Sequence, residues 1–275
     1  MAVAESAAEW DFPNAATPEG SDAYYAVRFA PPRQHDGLAR LFAWREQLEG
    51  IVARATDPGV ARLKLDWWRE ELERAAGGSA RHPLAKALAP GVATQGDLDP
   101  WLQMLEAAER RILRRQPADE SEFAEQCGLA GGSFGVLLSR LANTAADAQA
   151  LANAQALGAY AEAVARVRDL ASHLQRQWCP LPASRLRAAG LSCARLHEAE
   201  AAEALPGCLD DILGEVTPDP ALWRAARRTP AENVARLAVQ ARVLHRALQR
   251  RRYPVMRVRV ELTPVRRLWA AWRLR

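Results

Sequence analysis

Apolar residues recur along most of this chain at three- and four-residue steps, the spacing that lines one face of an α-helix. Leu38, Leu41, Phe42, Leu48, Ile51 and Val52 keep this step in the stretch that begins at Tyr24. Asp57-Pro58-Gly59 interrupts it. Asp57 as an N-cap and Pro58 at the first helical position predict a new helix to about Ala76, stopped by Gly77-Gly78-Ser79. A further apolar stretch follows Arg81-His82-Pro83 and ends at Pro90-Gly91. Later helices are predicted over about 98–116, 119–142, 146–178, 195–215 and 219–251, with Pro180, Pro182, Pro206, Pro218 and Pro220 at the breaks. Residues 254–264 alternate as a short strand would, and a last helix over 264–275 places Leu268, Trp269 and Trp272 on one side. Residues 1–20, with Pro13, Pro18 and Gly20, read as a flexible, loosely attached leader. Residues 21–275 read as one domain, because no linker or repeat divides them.

Composition agrees with an all-α fold. The 275 residues include 57 Ala and only 3 Ile, so the β-branched residues that favour strands are scarce. Hydrophobic residues at 49% and charged ones at 25% describe an ordinary globular protein and exclude wholesale disorder. Charge is uneven. Residues 241–275 hold 11 Arg against the single acid Glu261, whereas the rest of the chain is mildly acidic. A basic tail from about 241 fits an anionic partner, either a membrane surface or nucleic acid; a solvated Arg-rich helix face is the plainer alternative.

The four cysteines, Cys127, Cys179, Cys193 and Cys208, are widely spaced with no CxxC and are expected to be reduced thiols. The acidic N-terminal stretch lacks any basic residue before Arg28, unlike a secretory signal or a transit peptide. No apolar run reaches the 18 or so residues that span a bilayer. A cytoplasmic protein is expected, with peripheral contact to the cytoplasmic membrane as an option.

Three segments carry the candidate chemistry. The first joins Tyr24-Tyr25-Ala26-Val27-Arg28-Phe29-Ala30-Pro31-Pro32 to Leu41-Phe42-Ala43-Trp44-Arg45, Glu49-Gly50-Ile51-Val52-Ala53, Trp68-x-x-Glu71-Leu72 and His82-Pro83-Leu84. The second is Ala130-Gly131-Gly132-Ser133-Phe134-Gly135; the third is Arg168-Asp169, followed by Cys179-Pro180-Leu181-Pro182. In this order they resemble the squalene/phytoene synthase family, from about residue 22 to 272. The resemblance implies a single all-α isoprenoid-synthase domain around a central cavity. It also implies head-to-head joining of two prenyl diphosphates, held through Mg²⁺ by aspartate-rich motifs on facing helices. Hard Mg²⁺ takes carboxylate oxygens, and carboxylates at i and i+4 share one helix face.

The chain departs from the family at those motifs. A D-D-I-V-D pattern reads Glu49-Gly50-Ile51-Val52-Ala53, and a D-x-x-x-D pattern reads Asp169-Leu170-Ala171-Ser172-His173. Of five family acids, Glu49 and Asp169 stay, enough for one weakly held Mg²⁺. His is a poor Mg²⁺ ligand. Asp210-Asp211 matches no family motif and reads as a helix-surface pair. The candidate catalytic residues are Glu49, Asp169 and His173, the last either a proton donor or a core histidine. Arg168 is a candidate for direct diphosphate contact, or for an ion pair with Asp169 or Glu49. Tyr24, Tyr25, Phe29, Phe42, Trp44 and Phe134 are candidates to line a prenyl tunnel, or are ordinary core. The three glycines of the second segment fit close helix packing better than a phosphate loop.

This erosion also resembles a branch of the superfamily that includes a mitochondrial complex I assembly factor; without a transit peptide, a bacterial relative is expected. The first reading is therefore a non-catalytic protein that binds an isoprenoid lipid or assists a membrane complex, with no cofactor. An active Mg²⁺-dependent prenyltransferase is the second reading. Nucleic-acid binding ranks third, because no nucleic-acid motif accompanies the charge and Leu268, Trp269 and Trp272 suit a membrane interface.

Overall fold

The computed structural model describes residues 9–143, 145–227 and 229–274, and of Thr94 and Gln95 the backbone alone. Helices in chain order are α1 (Asp22–Arg28), α2 (His35–Ala53), α3 (Pro58–Ala76), α4 (Pro83–Gln95), α5 (Asp99–Ile112) and α6 (Glu120–Cys127). They continue as α7 (Ser133–Ala142), α8 (Ala148–Arg168), α9 (Leu170–Gln175), α10 (Ala183–Ala188), α11 (Ala201–Glu215), α12 (Pro220–Ala225), α13 (Glu232–Arg250) and α14 (Pro264–Trp272). Among the described residues there is no β-strand, so the all-α expectation holds.

The cap expected at Asp57 is present, and Asp147 plays the same part at α8. The Asp57 carboxylate accepts from the Gly59 and Val60 amides at 2.7 and 3.2 Å, with Pro58 at N1, and Asp147 caps Ala150 at 2.7 Å. Other boundaries differ from expectation. The 119–142 stretch is divided by a π-helical turn, Gly128–Gly132, and 146–178 is divided at Asp169. The 219–251 stretch opens into a turn between α12 and α13. Helix α4 runs through Pro90 and α11 through Pro206, because Val92, Leu205 and Leu209 beside them are buried and packing outweighs one lost backbone bond.

α8 is the central helix: Leu157, Tyr160, Val164 and Val167 are fully buried, and it packs on α7, α13 and the π-helical turn. Glycine sets the spacing. A Cβ on Gly131 would collide with the Gly158 carbonyl, one on Gly158 with that of Gly131, and one on Gly135 with that of Ala154. The glycines of the second segment thus serve close packing. A second part of the core is aromatic, with Trp44 edge-on to Trp101 at 4.8 Å and to Trp68 at 6.3 Å.

Three expectations are corrected. The leader is packed from residue 9 onward: Asp11 pairs with Arg40 at 2.6 Å, Asn14 donates to the Ala39 carbonyl at 3.1 Å, and Phe12 stacks on Tyr24. Residues 1–8 lie outside the described residues. The alternating stretch 254–263 has no partner strand; it opens with a turn at 255–257, closed by the Arg257 and Val258 amides on the Pro254 carbonyl, and continues as irregular chain, burying Val255, Val260 and Leu262. Cys179 and Cys193 form a disulfide with Cα atoms 6.2 Å apart, since the turn through α10 returns the chain to its start. Cys127 and Cys208 are buried free thiols.

Candidate functional site

A cavity of about 480 Å³ opens between α1, α2, α8 and α13. Helix α2 contributes Phe42, Arg45, Glu46 and Glu49, spaced so that they share one face. Helix α8 contributes Glu162, Val164, Ala165 and Arg168, and α13 contributes Leu237, Ala241 and Leu244. One side is therefore apolar and the other densely charged.

The charged side is a chain of ion pairs. Arg111, from α5, bonds Glu49 at 2.6 Å. Glu162 takes Arg45 at 2.8 Å and Arg166 at 2.9 Å. Burial alone would raise the Glu162 carboxyl, but Arg166, Arg45 and Arg111 overcome it and hold it down at about 2. Glu49 is 45% exposed, into the cavity, and shows the same balance: burial raises it, Arg111 overrides burial, and the net shift is downward. Arg111 and Arg166 also lie over the Trp178 ring, 5.2 and 5.3 Å from its centre.

Asp169 caps the end of α8 outside the cavity lining. Its carboxylate accepts from Arg168 at 2.9 Å and from Arg259 at 2.7 Å. Burial would raise its pKa, and the two guanidiniums lower it. Of the two alternatives for Arg168, the ion pair with Asp169 is present, although Arg168 still lines the cavity. Asp169 and Glu49 are thus not brought together as joint lining residues.

His173, one turn beyond Asp169, lies edge-on to Trp178 at 4.7 Å. Burial and then Arg111 push its pKa down to about 4, against the pull of Asp169 and Glu162. It lines a second, smaller cavity together with Ala53 and Arg111. Among the aromatic candidates only Phe42 lines the large cavity. Phe134 is buried behind it, edge-on at 5.0 Å, with Arg45 4.7 Å above its ring. Tyr25 stacks on Phe29 outside the cavity lining, and Trp44 belongs to the core. Among the described residues no group of three or more His, Cys, Asp or Glu is placed to hold a metal ion.

Sequence reasoning missed Glu162, Arg166 and Arg111. A signal for the first two was present. Glu162 and Arg166 interrupt the apolar run Ala161 to Val167 at an i, i+4 spacing, as a buried ion pair on a core helix does. Arg111 carried no such mark, because it sits in the arginine cluster 110–115 that reads as a solvated helix end.

An all-α bundle around a half-apolar, half-charged cavity is the architecture of the isoprenoid synthases. The chain belongs to the squalene/phytoene synthase family, whose family model matches residues 16–266. Among solved structures, a dehydrosqualene synthase in complex with ligand is 17% identical, with a TM-score of 0.73 over 99% of this chain and 94% of that one. Squalene synthase HpnC from Alicyclobacillus acidocaldarius is 20% identical, with a TM-score of 0.69 over 85% and 90%. YisP from Bacillus subtilis subsp. subtilis strain 168 is 15% identical, with a TM-score of 0.64 over 91% and 89%. No curated protein matches in sequence.

Proposed function

We propose that this chain is a non-catalytic member of its family that holds the apolar tail of an isoprenoid lipid in the large cavity. The observation that carries this reading is that the acids kept at the motif positions, and Glu162 beside them, are already joined to arginine: Glu49 to Arg111, Glu162 to Arg45 and Arg166, Asp169 to Arg168 and Arg259. Of the carboxylates that line the cavity only Glu46 makes no ion pair among the described residues, and one carboxylate is too few to hold the metal. Mg²⁺ prefers about six oxygens in octahedral array. At the neighbouring motif positions Gly50 and Ala53 offer no oxygen, and His173 offers nitrogen. The residues present do not fit the Mg²⁺ set implied by the family.

The apolar side suits a prenyl chain. Phe42, Val164, Leu237 and Leu244 line a volume of about 480 Å³, within the usual range of about 300–1,000 Å³ for small-molecule sites. Expected outcomes are no pyrophosphate release from farnesyl or geranylgeranyl diphosphate with Mg²⁺, and saturable binding of geranylgeraniol in equilibrium dialysis. Steady Mg²⁺-dependent release would replace this reading with that of an active prenyltransferase.

The membrane part of the reading rests on α14. Val265, Leu268, Trp269 and Trp272 are exposed there, flanked by the exposed Arg266. Tryptophan beside arginine on an exposed amphipathic helix suits an anionic bilayer surface, from which a lipid-binding protein would draw its ligand, with any partner complex in the same membrane. No helix among the described residues is long and apolar enough to cross a membrane.

A further inference from the structure

The Cys179–Cys193 disulfide joins two segments that the rest of the molecule holds very unequally. On one side Trp178 and Leu181 are buried, and Cys179 itself is only 8% exposed. The Trp178 indole donates to the Arg115 carbonyl at 3.2 Å and Gln116 to the Leu181 carbonyl at 3.1 Å. The Ala183 and Ser184 amides donate to the Pro117 and Ala118 carbonyls, each at 2.9 Å. This side is fixed without the disulfide.

On the other side, residues 187–195 run over the surface from the last turn of α10. Arg187, Ala188, Gly190, Ser192, Ala194 and Arg195 are exposed, and Leu191 and Cys193 are half-buried. The backbone bonds here are local: the Leu191 amide to the Leu186 carbonyl, Gly190 to Arg187, Arg195 to Ser192. Among the described residues, the one hydrogen bond between this stretch and a distant part of the chain runs from Gln116 to the Cys193 sulfur, at 3.4 Å. Sulfur is a weak acceptor. The disulfide is therefore the main tether of residues 187–195 to the body.

The bond is also within reach of solvent. Both cysteines line an open cavity of about 530 Å³, together with Leu174, Ala194, His197 and Met256. Accessible disulfides are the labile and regulatory ones. The other cysteines do not compete for this pair. Cys127 and Cys208 are buried, and burial pushes their thiols up to about 12 and about 11, so neither supplies a thiolate to reshuffle it.

We propose that Cys179–Cys193 is a reversible redox latch, opened by a dithiol reductant that enters this cavity, and that opening it frees residues 187–195 from the body. A thiolate of the reductant attacks the sulfur of Cys193, the more exposed of the two. The S–S bond breaks, and Cys179 leaves as a thiolate that takes up a proton. The second thiolate of the reductant then attacks the reductant's own sulfur in the mixed disulfide, and Cys193 leaves and is protonated. Two electrons and two protons have passed to the protein, and the reductant has become a disulfide. The Trp178 side keeps its bonds to 115–118, so the change is confined to 187–195 and the cavity wall that it supplies. The latch works in the same way whether or not the large cavity holds a lipid.

The test uses the full-length protein in native buffer, before and after treatment with dithiothreitol. Iodoacetamide labelling read by mass spectrometry should modify Cys179 and Cys193 in the reduced protein and leave Cys127 and Cys208 untouched. Oxidised glutathione should restore the bond in an unlabelled aliquot. Trypsin cuts after arginine, so Arg187 and Arg195 report on the tethered stretch directly. Cleavage there, read after quenching and full reduction, should rise about tenfold or more when the latch opens, because local release exposes the backbone to the protease. Cys193→Ser should be cut at the faster rate with or without dithiothreitol. The wild-type comparison decides the matter even where that variant fails to fold. A bond that opens only in denaturant, or equal cleavage after Arg187 and Arg195 in the oxidised and reduced protein, overturns the proposal.

Discussion

His173 shows what one side chain does to the whole protein. Its pKa near 4 in the folded state lies below the ordinary value of about 6.5. Between these values the unfolded chain takes up a proton that the folded chain refuses, so stability falls as pH falls through that window. The loss approaches 3 kcal/mol at its lower end, at about 1.4 kcal/mol per pH unit. Burial shifts His82 and His245 in the same direction, so a slope persists without His173. Thermal melts of His173→Gln between pH 7 and pH 4 should show a clearly shallower decline than wild type; parallel curves would contradict the assignment. At this scale the sequence revealed identities better than partners. Glu49, Asp169 and Arg168 were all singled out, but their bonds to Arg111 and Arg259 join residues 62 and 90 positions apart, and helical periodicity carries no information at that range.

Among the elements, the crossing of α8 with the π-helical turn sets how closely the central helices approach. A Cβ on Gly158 would meet backbone, which cannot swing aside as a flexible side chain can. Gly158→Ala should therefore destabilise the fold by about 1–3 kcal/mol, the usual range for overpacking a filled core, despite the better helix propensity of Ala. Denaturant titration would reveal it as a lower midpoint with an unchanged slope. Gly50 is a contrast: a Cβ there meets only the end of the Arg54 side chain, so space does not demand glycine. Helix identity was legible because Asp57-Pro58 and the apolar step are local signals. Pro90, Pro206 and the irregular stretch 254–263 were misread because tertiary burial, not local preference, decided them.

Across the whole molecule, the basic tail is less free than its charge suggests. Arg259 is bound to Asp169, Arg267 to Asp22 at 3.1 Å, and Arg273 lies 4.4 Å over the Trp269 ring. In the proposed membrane docking, attraction to anionic lipid would rest on fewer arginines than the tail contains, each adding about 1 kcal/mol near the surface, together with the exposed rings of α14. Cutting the chain at Tyr253 would also remove the buried Val260, Leu262, Ala270 and Leu274. Trp269→Gln/Trp272→Gln is the cleaner variant, and it should co-sediment with anionic vesicles markedly less than wild type. Equal partitioning would remove α14 from the membrane reading.

The same tail bonds bear on how the protein is made. Arg267 donates to the Gly20 carbonyl, 247 residues earlier, and α1 packs on α13 and α14. At about 5–20 residues per second, a ribosome needs roughly 10–50 s to supply that partner after residue 20 has been joined. Throughout that interval Ala26 and Val27, buried in the finished fold, lack α13 and α14 to cover them. Helix α1 is thus made long before the helices that cover it, which makes it a natural place for a chaperone to hold the nascent chain.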